Sequence, residues 1–233
     1  MERRNAWKDY DKKETKELEK LCKDYRKFLD NGKTERECVK YIVHLAEKAG
    51  YQDLEKVIRS GKKIKSGDKL YAVNMKKAIA LFQIGTAPLE EGLNILGAHI
   101  DSPRMDVKQN PLYEDTDLAY LDTHYYGGIK KYQWVTLPLA IHGVVAKKNG
   151  EVVDIVIGEE ETDPIFCVTD LLIHLAGEQM DKKAAKVVEG EQLDILVGSR
   201  PLSKEDKEPV KKMVLSILKK KYDMEEEDFL SAE

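Results

Sequence analysis

Leu93-Asn94-Ile95-Leu96-Gly97-Ala98-His99-Ile100-Asp101-Ser102-Pro103 is the stretch around which the chain is organised. It opens as a short apolar run, passes the small pair Gly97-Ala98, and ends in a Ser-Pro step. Bounded apolar runs of this length are expected to form buried strands, and proline cannot continue a central strand. His99 and Asp101 are therefore expected where a strand leaves a sheet, the position at which open α/β folds keep their ligands. Residues i and i+2 of a strand point to the same side, so the imidazole and the carboxylate arrive together while Ile100 turns away. A metal-binding histidine needs a nearby carboxylate of this kind to orient its ring and raise its basicity. Taken as bare spacing, a strand-end His with a local Asp is more often a structural hydrogen bond.

Upstream, Glu14 to Asp30 has helical periodicity, with Leu18, Leu21, Cys22, Tyr25, Phe28 and Leu29 on one face and Asn31-Gly32 as the stop. Thr34-Glu35-Arg36-Glu37 fits a capping box for a second helix. Its expected buried face is Cys38, Ile42, Leu45, Ala46 and Ala49, with His44 beside the stripe as a partly exposed residue. Lys69 to Asn74 and Ala78 to Ile84 read as two strands around a polar turn. Two helices, a hairpin and a buried strand are the opening of an α/β domain.

Downstream of Pro103 the pattern turns β-rich. Leu137 to Lys147 and Val152 to Ile157 flank Asn149-Gly150, a strong hairpin signal. Leu193 to Gly198 is a further strand candidate. Lys207 to Tyr222 restores a helix with Val210, Met213, Val214, Ile217 and Leu218 on one face. Asp228 to Glu233 reads as the approach to another strand. The expected division is residues 1–103, a β-rich module over 104–226, and a return segment over 227–233.

A chain of 233 residues, 42% hydrophobic and 35% charged, is that of a folded protein with a substantial core. Its net charge of −4 on a mixed-sign surface gives no case for nucleic acid or an anionic membrane as partner, and no apolar stretch is long enough to span a bilayer. The three cysteines, Cys22, Cys38 and Cys167, are scattered without C-x-x-C spacing. They read as reduced thiols packed like small hydrophobes. Glu159-Glu160-Glu161 reads as a solvated charged loop.

Ala98 to Pro103, the following Lys108-Gln109-Asn110-Pro111, Tyr126-Gly127-Gly128, and Trp134 ahead of Leu137-Pro138-Leu139 together resemble the aminopeptidase I / aspartyl aminopeptidase family of zinc metallopeptidases. The resemblance runs from about Trp7 to the last residue, with Val135-Thr136 standing where acidic and basic residues are more usual. It implies an incomplete zinc-aminopeptidase-type α/β domain followed by an inserted β-rich oligomerisation domain. It also implies a cytoplasmic enzyme that releases N-terminal amino acids from peptides through a dinuclear metal centre, and that this chain is its first half. His99 matches the family's metal ligand and Asp101 the carboxylate that orients it for catalysis. His174, in Ile173-His174-Leu175, matches a residue that reaches substrate in a neighbouring subunit. A lone histidine among leucines is otherwise a core residue, and His124 and His142 read as structural.

A two-metal peptidase site uses ions about 3.5–4 Å apart, each with three or four His, Asp or Glu ligands. The family's remaining ligands belong beyond residue 233. The donor types suit zinc, with cobalt or manganese able to occupy such a site. Two other functions fit the same residues: a non-catalytic oligomerisation or regulatory subunit derived from the family, and an unrelated binding module in which H-x-D is structural.

Overall fold

Helix α1 (Lys12–Asn31) starts where its sequence caps it: in the computed structural model, which describes residues 3–204 and 207–231, Asp11 and Glu14 exchange side-chain-to-backbone bonds of 2.8 and 2.9 Å. Thr34 and Glu37 do the same for α2 (Glu35–Lys48), at 3.3 and 3.1 Å. Each box satisfies two of the donors a helix start leaves open. Gly50, at φ +86°, ends α2 in the left-handed region that glycine enters without strain. The chain divides into two compact units, Met1–Ser102 and Pro103–Glu233.

In the first unit α2 is followed by a two-residue strand β1 (Gln52–Asp53) and a short helix α3 (Leu54–Arg59) capped by Asp53. Strands β2 (Lys69–Asn74) and β3 (Ala78–Gln83) form the expected hairpin, with Met75 and Lys76 both at positive φ in the turn. The sheet order is β1-β2-β3, β1 running parallel to β2 and β3 antiparallel to it. Leu70 and Tyr71 of β2 are buried with Cys38, Val39 and Ala46 of α2 and Val57 of α3. The α2 face is thus turned from the expected one: Val39 is buried, whereas Leu45 and Ala49 are exposed. No α1 residue is buried, although Leu21, Tyr25 and Leu29 line its apolar stripe.

The expected strand at 93–103 does not form. Residues 92–103 carry no ladder, and Leu93, Ile95 and Leu96 are 69%, 82% and 101% exposed. A strand needs a hydrogen-bonding neighbour as well as apolar side chains, and among the described residues this segment has none.

The second unit opens with β4 (Arg104–Asp115) and β5 (Leu118–Tyr126), an antiparallel hairpin closed by Thr116-Asp117, both at positive φ. Two such residues make the type I′ turn whose twist matches the flanking strands. The register shifts between Val107 and Leu112, where Asn110 takes φ +54° ahead of the buried Pro111. This Asn-Pro step is therefore a bulge. Strands β6 (Ile141–Ala146) and β7 (Val152–Ile157) form the second hairpin at Asn149-Gly150. The two-residue β8 (Cys167–Val168), a single-turn helix α4 (Gly177–Met180), β9 (Ile195–Gly198) and helix α5 (Pro209–Tyr222) complete the unit. Its four-stranded sheet has the order β4-β5-β9-β8.

The core of this unit gathers Leu112, Leu121, Val145, Ile155, Ile157, Phe166, Val168, Leu193, Ile195, Leu218 and Met224. Leu193, fully buried, is one of several such side chains, each contributing about 1.5–3 kcal/mol relative to exposure. It precedes β9 and is not part of it, because Thr123 Oγ1 claims its carbonyl oxygen at 2.7 Å. On α5 Val210 and Leu218 are buried while Ile217 is exposed. The segment expected to approach a strand is instead a 3-10 turn, Glu226–Ser231, with Ala232 and Glu233 outside the described residues. Asp228 pins this turn by accepting from the main-chain N–H of Glu225 and of Lys148. No helix among the described residues is long and apolar enough to cross a membrane.

Candidate metal centre

His99 and Asp101 meet as near neighbours in sequence. The Nδ1 of His99 lies 3.0 Å from the main-chain oxygen of Asp101 and 3.2 Å from its carboxylate Oδ1. Both oxygens accept and neither donates, so the neutral ring carries its proton on Nδ1 and its lone pair on Nε2. That tautomer leaves Nε2 free to coordinate a metal. The imidazole is 84% exposed. An exposed contact of this sort holds little by itself, so the backbone between the two residues helps set their relative direction. That backbone is tied to α2 by the buried thiol of Cys38, whose Sγ lies 3.8 Å from the carbonyl oxygen of Ile100.

His174, in the second unit, sits at the middle of a 3-10 turn, Ile173–Leu175. It is not a core residue: Leu171, Leu172, Ile173 and Leu175 around it are all exposed. His142 bonds Glu159 Oε1 through Nε2 at 2.9 Å, and His124 lies at the exposed end of β5. Glu159, Glu160 and Glu161 are all exposed, and Glu159 also holds His142 of the β6–β7 hairpin.

Of the motif segments after Ser102, Tyr126-Gly127-Gly128 lies at the open end of the β4–β5 hairpin, Lys108 to Pro111 lie within β4, and Val135 and Leu139 bridge to Val168 and Phe166. Arg104 pairs with Tyr126 in register, its guanidinium 4.3 Å from the ring centroid, and bonds Asp106 Oδ1. A side chain on Gly127 would lie 3.6 Å from Pro103, so the Tyr-Gly-Gly turn packs closely on the proline of the Ser-Pro step. Lys108 is held protonated, its pKa pushed up by hydrogen bonds to Asp122 and Glu191. It acts as a strut between β4, β5 and the turn at Gly190–Gln192.

Zinc takes three or four such ligands, and among the described residues no group of three His, Cys, Asp or Glu side chains converges. The His99–Asp101 pair suits zinc in donor chemistry and is fewer than the ligands such a site takes.

The fold is a mixed α/β one that sets a histidine against a carboxylate. The family model described as "Aminopeptidase I zinc metalloprotease (M18)" matches residues 28–233, and the chain belongs to that family. It is 58% identical over 233 residues to the probable M18 family aminopeptidase 1 of Clostridium acetobutylicum, covering 100% of this chain and 50% of that protein. The crystal structure of the M18 aminopeptidase from Thermotoga maritima matches with a TM-score of 0.91 at 45% identity, over 100% of this chain and 49% of that one. The S. cerevisiae mApe1 dodecamer shares the fold at a TM-score of 0.59 and 16% identity, over 92% of this chain and 47% of that one. The chain spans about half the length of the curated relatives it matches.

Proposed function

We propose that this chain is the amino-terminal half of a cytoplasmic M18 metalloaminopeptidase that releases N-terminal amino acids from peptides at a dinuclear zinc centre. The observation that carries the reading is the His99–Asp101 pair, in which the carboxylate holds the ring proton on Nδ1 and leaves Nε2 for a metal. His99 is then one ligand and Asp101 its orienting carboxylate; the other ligands come from the length that the relatives have and this chain lacks. Zinc, when bound, would polarise the scissile carbonyl and supply hydroxide near neutral pH. Cobalt or manganese would suit the same donors.

Through its effect on His99, Asp101 contributes without touching the metal: it keeps the imidazole in one tautomer and one direction as charge develops nearby. The exposed run Leu93 to Leu96 gains its strand neighbours from the same missing half. The β-rich module over residues 104–226 acts as the inserted oligomerisation module. Its exposed apolar turn at Leu171–Leu175 meets a second copy across a two-fold axis, and His174 reaches substrate in the neighbouring subunit.

Metal content and peptidase rate of the full-length protein test the assignment. His99→Ala should lose one metal ion and nearly all activity. Asp101→Asn should keep most of the metal while its rate falls about 10–100-fold, the usual cost of removing an outer-sphere partner. A fully active, fully metallated His99→Ala enzyme would refute the proposal.

A further inference from the structure

We infer that Cys38 is a positioning residue for the His99–Asp101 pair, its thiol fastening the peptide bond between them to the start of α2. Cys38 is buried on the first turns of that helix. Its Sγ lies 3.5 Å from the carbonyl oxygen of Gly32 and 3.8 Å from that of Ile100. The sulfur thus faces both the loop that ends α1 and the segment that carries His99 and Asp101. Gly32 makes room for the sulfur, since a side chain there would come 2.8 Å from it. The Ile100 carbonyl belongs to the peptide that joins Ile100 to Asp101, so holding it orients the plane from which Asp101 leaves and narrows the backbone freedom between that residue and His99.

The anchor matters because residues 92–103 have no ladder bonds of their own. A thiol is a weak donor, and an S–H···O contact adds little to stability; its consequence here is directional. Burial, reinforced by Glu37 and Glu35, pushes the thiol pKa up, so it stays protonated and able to donate at neutral pH. The sulfur acts through the backbone and does not touch the reacting groups.

The inference rests on the reading of His99 as a metal ligand, and the test separates the two. In the isotopically labelled full-length protein, the Ile100 carbonyl carbon and the His99 ring nitrogens are followed by NMR in wild type, Cys38→Ser and Cys38→Ala during titration with zinc alone. Wild type and Cys38→Ser should show one His99 tautomer, protonated on Nδ1. Cys38→Ala should shift the Ile100 carbonyl, mix the tautomers and weaken zinc at His99 by about threefold to tenfold, less than loss of a direct orienting partner. Unchanged Ile100 and His99 signals in a folded Cys38→Ala chain would show that the sulfur only fills space. Should Cys38→Ala fail to fold, Cys38→Ser decides: a hydroxyl in place of the thiol must move the Ile100 carbonyl signal, and an unmoved signal overturns the inference. If zinc leaves His99 unperturbed in wild type while the variants behave as expected, the metal reading fails and the positioning role stands.

Discussion

Glu114 to Ala is the substitution whose cost can be worked most fully from the structure. Helix α5 begins at Pro209, which has no N–H to satisfy, preceded by Glu208 in a left-handed conformation that supplies no side-chain cap. The next two N–H groups, of Val210 and Lys211, donate to a single carboxylate oxygen of Glu114 on β4, at 2.9 and 2.8 Å. Lys212 donates to the carbonyl of Glu208 at 3.1 Å, which completes the first turn. A strand residue therefore caps a helix 96 positions away. Loss of a cap costs about 0.5–2 kcal/mol, and a buried donor left unsatisfied costs about 1–3 kcal/mol. Val210 is buried beneath the cap, so water replaces the lost acceptor poorly. Glu114→Ala should destabilise the Pro103–Glu233 unit by about 2–3 kcal/mol, and Glu114→Gln, which keeps one acceptor and loses the charge at the helix dipole, by about 1 kcal/mol. At about 2–4 °C per kcal/mol for a chain of this size, the alanine variant should melt about 5–10 °C lower. Urea unfolding and calorimetry on the 233-residue chain measure both, with Glu208→Ala as a control expected within about 0.5 kcal/mol of wild type. A Glu114→Ala chain as stable as wild type, or a Glu208→Ala chain as damaged as Glu114→Ala, would refute the capping argument.

Thr123→Val keeps the volume but removes the hydroxyl that bonds the Leu193 carbonyl at 2.7 Å; it should cost about 1–2 kcal/mol in urea unfolding, and a neutral result would mean another donor reaches that carbonyl. Asp228 has its pKa lowered, first by the Glu225 N–H and then by Lys148 and its neighbours, so its stabilisation is present above the unfolded value of about 3.9 and is lost as pH falls through the lower folded value. Asp228→Asn should accordingly be less stable by about 1 kcal/mol at pH 7, with the gap to wild type closing below about pH 4; a gap independent of pH would count against the carboxylate. For the shared-site proposal, full-length His99→Ala and His174→Ala subunits that are allowed to exchange should regain activity in mixed assemblies, each holding one intact site. No recovery after demonstrated exchange would mean that His174 does not act across an interface.

Local rules account for much of what could be read directly. The boxes at Thr34–Glu37 and Asn149-Gly150 do their work within four or five residues, so the backbone they specify is independent of the rest of the chain. The His99–Asp101 contact is likewise an i, i+2 pairing, and it forms even though the strand expected to present it does not. Everything that depended on a neighbour was decided by tertiary structure. An apolar run such as Leu93 to Leu96 says that burial would be favourable without saying where a partner lies, and here it stands exposed. The α2 stripe shifted from Leu45 and Ala49 to Val39 because the sheet approaches from that side. Glu114 beneath α5 and Cys38 against Ile100 join residues 96 and 62 positions apart, and no periodicity or cap pattern reports a bond of that range. Helix starts and turns are set by dihedral preferences and hydrogen bonds inside one turn of chain, whereas strand pairing and burial are properties of two segments at once. The amino-acid order near His99 therefore determined the pair, and only the fold determined what holds it.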